Sequence, residues 1–402
     1  MRGAANAPRR GPISGATNLT PIHCPRSWKA ARPVRGGGLL RGVIAAAALI
    51  VVVAAPAAAQ TPRGPTPEER AWLGARLSAL ASESETRREA ERRFVELSRS
   101  ISSRHAGEPM VELSLRAELV GAAVSGGLLG RAAVEVSELD ELARRVGGER
   151  AMGLLRSATV ATAEALIASG NAGAARGLFR REVYREGVSE RDADRVRLVW
   201  AMAEVQSGAP AGDRIALKLV DQVRAHAGDA GGSRLGTVAA WIGVIASGSG
   251  SDGRYRETLD ATANGPGTRE GAIFPLVAGV LIDADAALVE SAAGRLLAFA
   301  ETSESIGAMD LLAAAALLAQ RDALLETADR VARRAAEAAG GDELSELAEI
   351  TRAKIAARLG DAEAPEASAD TDLSLEFGWS YAGPADAGEA PRLLFRVVRD
   401  GP

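Results

Sequence analysis

The residue types that carry most catalytic and metal chemistry are scarce in this chain. Beyond residue 59 the histidines are His105 and His226, in SSRHAGEP and RAHAGDA, and no cysteine remains. A zinc site would have to join both imidazoles to carboxylates, yet they fall about three helical hairpins apart. Both are expected as solvated residues at helix ends. No Gly-x-Ser-x-Gly elbow and no Gly-Lys-Ser/Thr phosphate loop occurs, so neither a serine nucleophile nor a nucleotide cradle is signalled. Gly248-Ser-Gly-Ser-Asp-Gly253 fits G-x-G-x-x-G, but an apolar helical segment, Trp241 to Ile245, precedes it where a dinucleotide site needs a strand. Asp283 with Asp285, or Asp370 with Asp372, are too few for a calcium loop. One cluster is more suggestive. Arg176, Arg180 and Tyr184 share one helix face, with Arg181 and Arg185 beside them, and could hold an acidic peptide or anionic polymer. Glu182 and Glu186 temper it toward an ordinary solvated face. No catalytic residue, cofactor or metal is therefore expected, and the chain does not read as an enzyme.

The elements that must position these residues are helical. From Thr66 to about Leu359 apolar residues recur at helical spacing, punctuated by Gly clusters where helix ends need a left-handed residue. Thr66-Pro67-Glu68-Glu69 has the form of a capping box with Pro at the first helical position. The helix it opens is expected to run on into ETRREAERRFVELSRSI and end near Ser103. A coiled coil fails there, because the heptad from Leu73, Leu77 and Leu80 continues onto Ser84, Arg87 and Glu91. The carboxylates on these helices, such as Glu89 at i,i+4 from Arg93, read as surface ion pairs.

A repeat emerges when helix ends are aligned. LIASGNAG, AEVQSGAP and GVIASGSG share a Ser-Gly pair at Gly170, Gly208 and Gly248, spacings of 38 and 40 residues. Two further ends follow near Asp283 and Arg321, and each is trailed by a second, Arg-bearing amphipathic helix. Two helices per unit at this period predict an all-α fold, a helical-hairpin superhelix or α-solenoid. Within one unit, Gly170-x4-Ala175-x3-Phe179 resembles the Gly, Ala and Phe stretch at the inter-helix turn of tetratricopeptide repeats. At the same offsets the next unit has Asp213 and Leu217. The resemblance spans about residues 150–340 and implies a right-handed superhelix whose inner groove binds peptides or proteins.

Beyond the solenoid the pattern changes. Residues 361–372 are an acidic Ala/Pro-rich linker, and 373–402 form a tail with strand periodicity. Leu373, Leu375, Phe377, Trp379 and Tyr381 alternate with polar or small residues, and Leu393 to Val398 could pair with them as a short hairpin. Such a hairpin is marginal alone, so it either caps the last repeat or binds a partner, with Trp379 and Tyr381 as contact residues.

The start of the chain governs its address. Residues 1–59 hold eight basic residues and no acid, an uncharged run from Gly42, and small residues at Ala57 and Ala59. These features predict a signal peptide cleaved between Ala59 and Gln60; residues 1–33 precede an ordinary leader and point to a true start near Val34. The densest apolar stretch, Val43 to Ala55, is short for a membrane span, although an uncleaved inner-membrane anchor is the alternative. After cleavage 40 basic residues (48 − 8) face 52 acidic ones, a net charge of −12, and the sole cysteine, Cys24, is lost. An acidic chain is a poor nucleic-acid binder. The expectation is a periplasmic scaffold or adaptor in three regions, 60–150, 151–360 and the tail, with a protein or peptide partner and no integral span in the mature chain. The alternatives are a subunit of a membrane-associated envelope assembly, or an envelope enzyme resembling superhelical lytic transglycosylases, for which no catalytic domain is visible.

Overall fold

The computed structural model describes residues 63–360, save 85, 210, 228–233, 263–267 and 341, together with the backbone of 373–380 and 392–399. The leader, its cleavage residues Ala59 and Gln60, the linker and Tyr381 lie outside the described residues. Fifteen α-helices are described: α1 (Pro67–Glu83), α2 (Arg87–Arg104), α3 (Pro109–Ser125), α4 (Leu129–Val146), α5 (Gly148–Ala168), α6 (Ala172–Val183), α7 (Glu190–Ser207), α8 (Gly212–Ala227), α9 (Arg234–Ser247), α10 (Asp252–Ala261), α11 (Arg269–Leu281), α12 (Ala286–Thr302), α13 (Ala308–Leu318), α14 (Leu325–Ala338) and α15 (Asp342–Leu359).

The chain is an all-α solenoid. Consecutive helices pack as hairpins, and the odd-numbered helices also lie side by side from α1 to α15. Even-numbered neighbours splay, with only α12 and α14 in close approach. The stack therefore curves with the odd helices on its inner side. Burial follows the layers: α6 buries one stripe, Ala175, Phe179 and Val183, whereas α11 is buried at every residue from Glu270 to Leu281. A helix that is apolar all round belongs in a core, and α9, α11 and α13 have that composition.

The repeat signals mark the inner-helix ends. Gly170, Gly208 and Gly248 take φ of +86, +56 and +75, a region that costs L side chains strain. At the fourth end Asp283 takes φ +57 in place of glycine, a role Asp tolerates better than most residues. The fifth end instead leaves α13 through a 3-10 turn, Asp322–Leu324. The expected capping box is present: the Thr66 amide donates to Glu69 Oε2 at 2.6 Å, and the Glu69 amide to Thr66 Oγ1 at 3.2 Å. The expected continuous first helix is corrected. It breaks after Glu83, and Thr86 caps α2 by accepting from the Glu89 amide at 3.2 Å. A capping hydroxyl offers the backbone an alternative to helix continuation.

Two apolar clusters fill the core, one from Leu73 to Ala158 and one from Val160 to Ile355, and they meet within α5. Among the described residues α5 alone is long and apolar enough to cross a membrane, and 61% of its apolar window is buried between neighbouring helices. At the C-terminal side β1 (Leu373–Ser380) pairs antiparallel with β2 (Arg392–Arg399), with Phe377 opposite Phe395 and Trp379 opposite Leu393.

Candidate interaction surface

The arginine stripe sits on α6, whose start is fixed by the left-handed turn at Gly170. Phe179, fully buried, stacks on Trp200 of α7 at 5.5 Å and 6°. That contact turns the rest of α6 so that Arg176 reaches the same stretch of α7. Arg176 Nε and Nη2 donate to the two oxygens of Glu204, each at 2.7 Å, and Trp200 Nε1 donates to Oε1 at 2.9 Å. Glu204 is completely buried, and bidentate pairing of this kind satisfies both oxygens of a buried carboxylate. Arg185 is likewise engaged, donating to Glu182 and Asp140. Arg180 and Tyr184 are the two stripe members presented to solvent, Tyr184 at 68% exposure.

These pairs belong to a wider buried lattice. Arg156 of α5 donates to Glu182 of α6 at 2.9 Å and reaches Asp192 of α7 at 3.2 Å. Arg234 at the start of α9 reaches Glu270 of α11 at 2.7 Å, and Arg269 of α11 donates to Asp310 of α13 at 2.9 Å. Each acceptor in these inner rungs (Asp192, Glu270, Asp310) lies in the first turn of its helix, where the helix dipole favours negative charge. Near the N-terminus, Arg116 of α3 joins Glu135 and Glu138 of α4, with Ser98 of α2 donating to Glu135 at 2.9 Å.

Of the two histidines expected as solvated residues at helix ends, His226 is exposed at the end of α8 as expected, and His105 is not. His105 is buried at the end of α2, with Nδ1 3.3 Å from Glu108 and 3.9 Å from Glu69. His226 belongs to the last turn of α8, with Nδ1 3.0 Å from Asp194 and 3.1 Å from Glu190. Either trio has ligand types for a cation. In each, however, an arginine already bridges the carboxylates: Arg63 lies 3.6 Å from both Glu69 and Glu108, and Arg197 reaches Glu190 at 2.5 Å and Asp194 at 2.6 Å. The Gly248–Gly253 segment is the turn from α9 into α10, with a helix rather than a strand before it.

No family model, curated protein or solved structure matches the chain.

The inner face, which the tetratricopeptide resemblance implies as a binding groove, changes in character along the stack. Over α7 it is closed, with every residue from Ala193 to Glu204 buried. Over α3 and α5 it opens. The stripe on α3 opposite the Arg116 side includes Glu118, Gly121 and Ser125, and the stripe on α5 opposite Leu155 and Thr159 includes Ser157, Ala161 and Glu164; all six are part or fully exposed. Burial raises both carboxyls: Glu118, despite Arg70 at 3.4 Å, and Glu164, which is pushed up to about 8. Glu164 has no ion-pair or hydrogen-bond partner among the described residues, so this stretch offers small side chains around a neutral acid. On the outer side, an open depression of about 690 Å³ between α2 and α4 is walled by Arg88, Arg92, Arg99 and Arg131 with Glu91 and Glu96.

Proposed function

We propose that this chain is an exported, periplasmic helical-repeat scaffold that binds a protein or peptide partner on its inner face, in the manner implied by its likeness to tetratricopeptide repeats. The observation that carries the reading is the change along that face, from closed over α7 to open over α3 and α5. An uncovered row of small residues between flanking helices admits an extended chain closely. The protonated carboxyl of Glu164 adds a donor for a backbone carbonyl, and Arg180 with Tyr184 supplies a second, outer contact. Gln60 is the first residue of the proposed mature chain.

The test is site-specific photo-crosslinking in cells, with a photoreactive residue at Ala161 or, separately, at Tyr184. Discrete adducts from position 161 are expected, on protein whose N-terminal sequence begins at Gln60. Recovery of only uncrosslinked chain from both positions would sink the scaffold reading, and an intact leader would sink the export reading independently.

A further inference from the structure

α13 is apolar all round, its inner side included, and a distinct element stands beside it. α11 and α15 flank α13, and α14 covers its outer side. The side left over carries Met309, Ala313 and Ala316, which at 100° per residue lie opposite the core residues Leu311 and Leu318. Ala313 is 0% exposed and Ala316 7%. Small side chains in that stripe let another backbone come close, and β2 lies against α13.

The hairpin has the complementary need. Register sets Leu375 opposite Val397, Phe377 opposite Phe395 and Trp379 opposite Leu393, and directly opposed residues share a face of a two-stranded ribbon. One face is therefore apolar by sequence over its three inner pairs, with Arg399 opposite Leu373 at its end, while the other alternates Ser374 with Val398 and Glu376 with Arg396. A lone two-stranded hairpin is marginal in water, and a helix that is apolar all round is stable only when covered. We infer that the C-terminal hairpin is the resident occupant of the inner face over α13, seated through its Leu375–Phe377–Trp379 and Leu393–Phe395–Val397 face. It neither caps the end of the stack nor extends as a free docking element. The inference does not rest on the proposed partner: the hairpin closes its own stretch of the face whether or not α3 and α5 bind anything.

Electron-electron spin distances test it in the full chain carrying Cys24→Ser, which leaves no native thiol. One label goes on exposed Glu326 of α14 (Glu326→Cys) and one on the polar face of the hairpin (Glu376→Cys). A narrow distance distribution is expected. It should broaden several-fold in Phe377→Asp/Phe395→Asp and equally in Ala313→Glu, while a control pair, Arg256→Cys with Glu326→Cys, stays unchanged and shows that the solenoid is still folded. A broad distribution in the parent would overturn docking. So would a narrow one that disappears on dilution with unlabelled chain, because the occupant would then be a second copy.

Discussion

Glu204 and Glu164 are two carboxylic acids in one helical stack with opposite fates. Glu204 is fully enclosed yet satisfied by Arg176 and Trp200. Removing one partner from a buried pair strands the other charge, so Arg176→Ala is expected to cost about 3 kcal/mol, read as a lowered urea midpoint. Arg180→Ala, on the exposed part of the same helix, should leave that midpoint where it is. Glu164 has no such partner, and its carboxyl sits near 8 where 4.5 is ordinary. The native state therefore keeps a proton that the unfolded chain releases. Its contribution is fully present below about pH 4.5 and is lost as pH rises through 8. Glu164→Gln, neutral throughout, should melt with the parent at pH 4 and above it at pH 9. Equal melting temperatures at pH 9 would show that the carboxyl is not held protonated.

At the scale of elements, three helices converge on Gly279 of α11. The Tyr255 hydroxyl of α10 donates to the Pro275 carbonyl at 2.9 Å. A Cβ at position 279 would meet that hydroxyl and Val289 Cγ2 of α12, each at 2.8 Å. Gly279→Ala is accordingly predicted to destabilise by about 1–3 kcal/mol, the usual range for overpacking. Gly294 in exposed α12 has open space around it, so Gly294→Ala should stabilise by about 0.5–1 kcal/mol through helix propensity. Thermal denaturation of the two variants side by side checks both signs. Glycine was also where the sequence was most readable. The Ser-Gly ends at Gly170, Gly208 and Gly248 announce themselves because a left-handed turn is a local requirement. At the end of α3 the left-handed residue is Gly127, φ +70, which extends the pattern toward the N-terminus with Gly126 in place of the serine. The break between α1 and α2 was hidden, since no Gly or Pro marks it and only the Thr86 hydroxyl decides it. Burial of His105 and the pairing of Arg269 with Asp310, 41 residues apart, depend on stacking that no local pattern encodes. The open inner face was invisible for the same reason: Ser157, Ala161 and Glu164 acquire meaning only when α3 lies alongside.

For the whole molecule, neighbour-only packing governs how stability is distributed. The fully buried members of the two apolar clusters share just one helix, α5, and stacked repeats unfold as coupled neighbours rather than as one block. Leu139→Ala, at a fully buried position of α4, should cost about 2–5 kcal/mol locally. Hydrogen exchange monitored by mass spectrometry should then show faster exchange from α1 to α4, with α11 to α14 unchanged. Uniform loss of protection along the chain would mean that the solenoid behaves as a single cooperative unit.

The rungs along the inner layer also bear on how such a chain could lengthen. α11 carries a donor and an acceptor at adjacent positions: Arg269 reaches forward to Asp310, and Glu270 receives Arg234 from behind. A tandem duplication of the segment encoding α11 and α12 would place a new acceptor beside the old donor and a new donor beside the old acceptor. The copied hairpin would be born with its charges matched on both sides, so this stretch of the gene is the one where repeat number can change without stranding a buried ion.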